Sequence, residues 1–211
     1  QWKSQGFFLQ QPGETGSLGV FVQSTVGNIK IGDRVRLTGI VNESSESGMT
    51  VIAPIDSAAP MAIRRIAEGE TIEPVELPAA STPIDWEDYE SMLVRVPNES
   101  FVVDTYNLAR RGQVTLAAQP LRVPTEDNDP DDRKGADSPE GEDRGASSIR
   151  TIRIDDGIDA NNLFPIPLLP GLGTDFQTLR VGSKINDLTG IVIEDDGEYL
   201  IVPTQPLQIS H

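Results

Sequence analysis

Side chains that could carry out covalent or acid–base chemistry are scarce in this chain of 211 residues. It has no cysteine, and its one histidine is the last residue, His211. Serine and cysteine nucleophiles need a histidine or a similar base beside them, and most zinc sites use histidine or cysteine ligands. The sequence therefore excludes Ser-His-Asp triads, Cys-His pairs and histidine zinc sites, and we expect no catalytic residue in this chain.

Carboxylates are plentiful and suggest one candidate cation site. Asp155 and Asp156 stand directly before Gly157, and Ca²⁺ prefers clustered oxygen ligands. An Asp-Asp-Gly run also forms tight turns, which is the alternative interpretation. Residues 126–143 hold nine acidic and two basic residues but no large apolar side chain, and they lack EF-hand spacing. Such a segment is typical of an exposed loop.

The overall charge limits what this chain can bind. Its formal net charge is −16, and a strongly acidic surface repels nucleic-acid phosphates at long range. Any nucleic-acid site must therefore be local, with arginines beside aromatic rings on which bases stack. The alternative is that the phenylalanines are core residues and the arginines lie on a solvated face. The candidates are Phe8, Phe21, Arg34, Arg36, Arg64, Arg65, Arg150 and Arg153.

Short strands separated by glycine and proline turns must position these residues. Val35 and Leu37 alternate with polar neighbours, which indicates a half-buried strand, and Gly39 suggests a bend. Similar patterns recur along the chain, whereas only residues 61–67 suggest a short helix. No run of 18 apolar residues is present, so we expect no transmembrane helix.

Two stretches of the chain repeat each other. Residues 31–41 and 181–192 share a turn glycine, a basic residue and an identical Leu-Thr-Gly-Ile-Val. Each stretch is followed by an acidic turn and another apolar strand. The repeat predicts two related all-β units, which are small Greek-key barrels of the OB-fold type with short helical connections. A sandwich of similar strands is the alternative.

Domain boundaries follow from the proline-rich stretch at residues 78–83. We predict a first OB-like barrel over residues 1–80 and a second over 85–211. The second would carry the long acidic loop within an insertion at 122–148.

The order of these strand motifs resembles the OB-fold-like region of large secreted bacterial nucleases. There it precedes a catalytic domain of the endonuclease/exonuclease/phosphatase family, which is DNase I-like. Tyr89–Val94 resembles that family's YEGMLV segment, with Ser91 at the glycine, and Ile152–Gly157 resembles its I-x-LDDG. Leu179–Thr204 resembles the stretch just before the catalytic domain, with Ser183 at the usual aspartate. In this resemblance the opening strand of the first barrel is truncated.

The resemblance implies an accessory module rather than an enzyme. The parent protein would be an extracellular, metal-dependent nuclease or phosphodiesterase, and Mg²⁺ would belong to its absent catalytic domain. This chain would hold no cofactor of its own apart from Ca²⁺, and its partners would be DNA and the parent's own DNase I-like domain. A structural spacer or protein-interaction module is the competing function class, which the acidic charge favours. Attachment to carbohydrate is a weaker third class, because aromatic residues are few.

Overall fold

The computed structural model describes residues 6–11, 18–24, 28–45, 47–79, 84–120, 151–169 and 179–210. Within them nearly all regular structure is β-strand, so the all-β prediction is confirmed. The acidic segment 126–143, the insertion 122–148, Arg150 and His211 lie outside the described residues.

The strands of the first half are β1 (Gly6–Gln11), β2 (Leu18–Gln23), β3 (Arg34–Leu37), β4 (Ile40–Glu43), β5 (Thr50–Ala53), β6 (Ile63–Ala67) and β7 (Val75–Glu76). Those of the second half are β8 (Leu93–Arg95), β9 (Ser100–Asp104), β10 (Val114–Ala117), β11 (Thr151–Ile154), β12 (Lys184–Asn186), β13 (Thr189–Asp195), β14 (Glu198–Pro203) and β15 (Gln208–Ser210). A 3₁₀ helix spans Glu87–Tyr89, and one turn of α-helix, α1, spans Leu108–Arg111.

The strands pair in the same pattern in both halves. In the first half the order is β1-β2-β5-β4, with β2 and β5 parallel and the other pairs antiparallel. The run β10-β11-β14-β13 repeats that order and those directions. The antiparallel pair β3–β6 likewise corresponds to β12–β15. We call β1–β6 the first copy and β8–β15 the second copy.

The sheet of the second copy curls around its core. β8 pairs with β13 at one side, and β9 pairs with β10 at the other. Only residues 96–99 separate β8 from β9, so the two ends of the run β9-β10-β11-β14-β13-β8 are adjacent in the chain. The main core cluster includes Val94, Leu116 and Val192 from this run of strands.

Residues with positive φ form the turns between strands. Asp196 and Gly197 have φ of +53° and +77°, as a two-residue hairpin between β13 and β14 requires. Gly32 and Gly182, the turn glycines of the repeat, have φ of +87° and +88°. The next residue caps each turn in the same way. Asp33 Oδ2 accepts from Lys30 N at 2.9 Å, and Ser183 Oγ accepts from Arg180 N at 3.2 Å.

A smaller apolar cluster joins the two copies. Phe21, Met49 and Val51 of the first copy pack with Ile193 and Leu200 of the second. The Gln10 side chain also accepts a hydrogen bond from Leu93 N at 2.8 Å. The first copy is therefore packed against the second copy, on a face away from its main core.

The short helix predicted over residues 61–67 is wrong, because Ile63–Ala67 forms strand β6. Pairing with β3 supplies its backbone hydrogen bonds and outweighs the weak local helix preference. The strand predicted through Gly39 is divided there, and β3 and β4 join different sheets. A Cβ at Gly39 would lie 2.4 Å from Ile52 Cγ2, so this close crossing requires glycine.

The division of the chain between residues 80 and 85 stays a prediction. β7, from the predicted first unit, pairs in parallel with β8, and Leu77 N donates to Arg95 O at 2.9 Å. Leu77 is also part of the main core. The segment that leads to the predicted boundary thus lies along the second copy.

Candidate nucleic-acid interface

Four of the predicted arginines lie on one two-stranded ribbon, formed by β3 and β6. The register sets Arg36 directly opposite Arg64, and Val35 opposite Arg65. Because side chains alternate between the faces of a strand, Arg34, Arg36 and Arg64 share the outer face. Arg65 lies on the other face. Sequence reasoning found these residues, but only the pairing of two distant segments brings them together.

Acidic neighbours neutralise two of the four arginines. Arg34 Nε lies 3.0 Å from Glu70 Oε2. Arg65 pairs with Glu68 at 2.9 Å and with Asp33 at 3.5 Å. These two cations are therefore tied into the ribbon and its turns.

Arg36 and Arg64 are exposed, and neither side chain has a hydrogen bond or ion pair with any described residue. Like charges directly opposite each other destabilise a strand pair by a few tenths of a kcal/mol to about 1 kcal/mol. A bound anion would relieve this repulsion, and guanidinium groups suit phosphate oxygens. The outer face of the ribbon is therefore the best candidate for phosphate binding in the described part of the chain.

The predicted aromatic partners lie elsewhere. Phe21 is only 2% exposed and belongs to the cluster that joins the two copies. Phe8 packs edge-on against it, with 5.1 Å between the ring centres. Neither ring lies on the β3–β6 ribbon, and Phe21 has no open face on which a base could stack. Both follow the alternative interpretation, in which they are core residues.

The remaining predicted arginines do not extend the ribbon. Arg153 is on β11 in the second copy, and its guanidinium pairs with Glu198 of the neighbouring strand β14. Arg150 lies outside the described residues.

The predicted Ca²⁺ ligands Asp155 and Asp156 are engaged in a turn. Asp155 Oδ1 accepts from Gly157 N at 2.7 Å, and its Oδ2 accepts from Gln113 Nε2 at 2.8 Å. Asp156 Oδ1 accepts from Ile158 N at 2.9 Å, and burial raises the pKa of this carboxyl. Throughout the described ranges, no three acidic, histidine or cysteine side chains group closely enough to hold a metal ion. Ca²⁺ binding at this turn stays a prediction.

A second group of arginines faces acids. Arg110 and Arg111 end α1 and line a pocket together with Asp155, Asp159 and Asp195. The carboxylates of the same lining offset the positive charge, so this pocket attracts phosphate less than the ribbon does.

An acidic cluster at the joint between the copies was not predicted. Glu90 is 7% exposed, and its Oε1 accepts from Thr50 N of the first copy at 2.9 Å. Burial, and then the charges of Glu87, Glu43 and Glu194, raise the pKa of Glu90 to about 7. The four glutamates come from three separate segments, and only Glu87 and Glu90 are close in sequence, so no local sequence pattern could have revealed the cluster.

Tyr199 and Glu194 complete this joint. The Tyr199 hydroxyl donates to Glu87 Oε2, and burial together with this bond raises the pKa of Tyr199. A Cβ at Gly48 would lie 2.4 Å from Glu194 Oε2, so this carboxylate rests against the first copy. The Glu90–Thr50 hydrogen bond links the copies, whereas the gathered carboxylates repel one another unless Glu90 is protonated.

No helix in the described part of the chain is long and apolar enough to cross a membrane. No protein-family model matches this chain, and neither a curated protein nor a solved structure matches it. A functional proposal therefore depends on the geometry of the ribbon and on the sequence resemblance.

Proposed function

We propose that this chain is a non-catalytic module that holds a nucleic-acid backbone against the outer face of the β3–β6 ribbon. The observation that carries the proposal is the exposed pair Arg36 and Arg64, which lie opposite each other without an acidic partner among the described residues. Two adjacent guanidinium groups can contact one phosphate or two consecutive phosphates. Such contacts would position the polymer but would not read its sequence.

The strand order supports barrels of the OB type. If β8 and β9 are one strand bent at residues 96–99, the second copy is a five-stranded Greek-key barrel. The first copy has the corresponding strands except that bent one. OB-type barrels commonly bind single-stranded nucleic acid, which makes single strands the first ligand to test.

The parent protein would supply the chemistry. By the sequence resemblance, it is an extracellular nuclease whose Mg²⁺-dependent DNase I-like domain is a separate unit. The role of this chain would be to deliver or orient DNA for that domain. With a net charge of −16, its affinity should be low and should fall steeply with salt.

A spacer or protein-interaction module is the second candidate. Its support is the joint between the copies, where an apolar cluster and the Gln10–Leu93 hydrogen bond would fix their relative position. A rigid acidic spacer would hold a catalytic domain in place and would bind no DNA.

Fluorescence anisotropy with labelled single- and double-stranded DNA distinguishes the two functions. We expect measurable binding at low salt, and at least tenfold weaker binding for the double variant Arg36→Gln/Arg64→Gln. Removing two phosphate contacts should also reduce the slope of log binding constant against log salt concentration by about two.

The matched control is the double variant Arg95→Gln/Arg153→Gln. It removes the same charge from the second copy, where both side chains are already paired with glutamates. It should bind DNA nearly as the unmodified chain does. Equal losses in both variants, or no binding at low salt, would favour the spacer.

A further inference from the structure

The same five residues have opposite environments in the two copies. Val192 of the second copy is fully buried, whereas Val41, at the same place in the Leu-Thr-Gly-Ile-Val repeat, is 65% exposed. Ile40 is 46% exposed, although its counterpart Ile191 is partly buried. Since the local sequence is identical, the difference must come from what covers it.

Strand β8 is what covers the repeat in the second copy. It pairs antiparallel with β13, with Val94 opposite Gly190 and Leu93 opposite Ile191. Val192 N donates to Met92 O at 3.0 Å. In the first copy β4 is the last strand of its sheet, and none of the described strands pairs with its outer edge.

The backbone of β4 is arranged to accept such a strand. Ser44 N donates to Met49 O at 2.8 Å, which fixes the alternation of the β4–β5 ladder. By that alternation Ile40 and Asn42 bond to β5, while Gly39 and Val41 direct their N–H and C=O groups outward. In β13 the counterparts of Gly39 and Val41 are Gly190 and Val192. Their backbone N–H and C=O groups face β8 rather than β14.

An apolar face lies beside this edge. The strand registers place Phe7 opposite Val22, and Ile52 beside both Val22 and Val41, so that all four share one face. Val22 is buried, but Phe7 and Ile52 are only partly covered and Val41 is exposed. The corresponding residues of the second copy, which include Ile154, Val192 and Ile201, lie in its main core.

Charge indicates what the covering segment should carry. In the second copy Glu99, between β8 and β9, lies 2.9 Å from Lys184 of β12. The repeat places Arg34 at the position of Lys184. Arg34 pairs through Nε with Glu70, but its side chain is 61% exposed and its guanidinium group has further N–H donors for a second carboxylate. A segment laid across the first copy would therefore gain from an acidic residue at the position of Glu99.

We propose that the open edge of β4 and the apolar face beside it bind an extended segment of a separate polypeptide, seated as β8–β9 is seated on the second copy. This is strand addition, in which main-chain bonds give affinity and alternate side chains give specificity. The segment carries apolar residues at alternate positions, followed by an acidic residue. The inference goes beyond nucleic-acid binding and concerns a different edge of the first copy.

The test uses the whole chain and a synthetic peptide with the sequence of residues 91–104, which contains β8 and β9. Amide hydrogen exchange, followed by NMR, should slow at least tenfold at Gly39 and Val41 when the peptide is added. Ile40 and Asn42, already bonded to β5, should change little. A peptide with the changes M92S, V94S and V96S is the control and should give no protection.

Protein variants test the site from the other side. Val41→Lys should weaken peptide binding at least tenfold, whereas Ile55→Lys, at a loop residue that is 66% exposed, should not. The Arg36→Gln/Arg64→Gln variant should bind the peptide normally, so failure of this proposal and failure of DNA binding are separable.

Three results would overturn the proposal. The first is no slowing of exchange at Gly39 and Val41 with the peptide. The second is protection that rises with protein concentration alone, which would identify a second copy of the chain as the occupant. The third is protection in the dilute chain without peptide, which would show that its own residues cover the edge.

Discussion

At the scale of single residues, the joint between the copies holds the most perturbed groups. Glu90 is buried among Glu43, Glu87 and Glu194. Ser91 beside it has φ of +60° and a buried hydroxyl without a hydrogen-bond partner among the described residues. The proposed resemblance sets Ser91 at a glycine position. It could not show why, because the reason is a left-handed backbone conformation set by neighbouring strands. The Arg36–Arg64 pair was hidden for a similar reason, since it depends on the register of two distant segments.

Glu90→Gln should make the protein more stable at alkaline pH. The pKa of Glu90 is raised from 4.5 to about 7 in the folded state, so folding favours its protonated form. Its contribution to stability is fully present below about pH 4.5 and is lost as pH rises through 7. Glutamine imitates the protonated acid and can still accept from Thr50 N. Urea unfolding at pH 5 to 8 should show a flatter profile for the variant and higher stability at pH 8.

The control for that experiment is Glu68→Gln, which removes the same charge from an exposed residue on the ribbon side. It should leave the fall in stability between pH 5 and 7 unchanged. An equal flattening by both variants would mean that overall charge, and not the burial of Glu90, sets the pH dependence.

Ser91→Gly should stabilise the protein by about 1 kcal/mol, because glycine tolerates a left-handed conformation and the change removes an unsatisfied buried hydroxyl. The greater freedom of glycine in the unfolded chain offsets part of the gain. Thermal unfolding should show a higher Tm. A lower Tm would show that the hydroxyl has a partner, such as an ordered water, that outweighs the strain.

At the scale of elements, strands and turns were largely predictable and their environments were not. The alternation of Val35 and Leu37 with polar residues predicts a strand, and both residues lie in β3. The turn glycines of the repeat were also correct, since Gly32 and Gly182 have positive φ. The helix over 61–67 was wrong because pairing between β3 and β6 outweighs local preference. The identical Leu-Thr-Gly-Ile-Val strands differ in burial because only one is covered by β8.

Alanine substitutions at the two repeat valines test this difference. Val192→Ala should cost about 2 kcal/mol, because it leaves a cavity beneath β8 in the main core. Val41→Ala should change stability by less than about 0.5 kcal/mol, since its side chain is mostly in water. Chemical denaturation of both variants gives the comparison. Equal losses would contradict the open edge of the first copy.

At the scale of the whole molecule, the described part of this acidic protein carries a local cationic face on the β3–β6 ribbon. The net charge of −16 predicts that any phosphate site is confined to a small area, because this charge opposes wider contact. The aromatic residues of the predicted site lie away from the ribbon, since Phe21 is buried in the cluster that joins the copies and Phe8 packs against it. A strand pattern cannot distinguish a buried aromatic in such a joint from one on a binding face, because both point to one side of a sheet.

The most direct test of nucleic-acid binding is amide chemical-shift mapping with a short single-stranded DNA at low salt. We predict that the largest shift changes fall on β3 and β6, centred on Arg36 and Arg64, and that they disappear in moderate salt. Changes centred on the Arg110–Arg111 pocket, or no changes at low salt, would contradict a phosphate site on the ribbon.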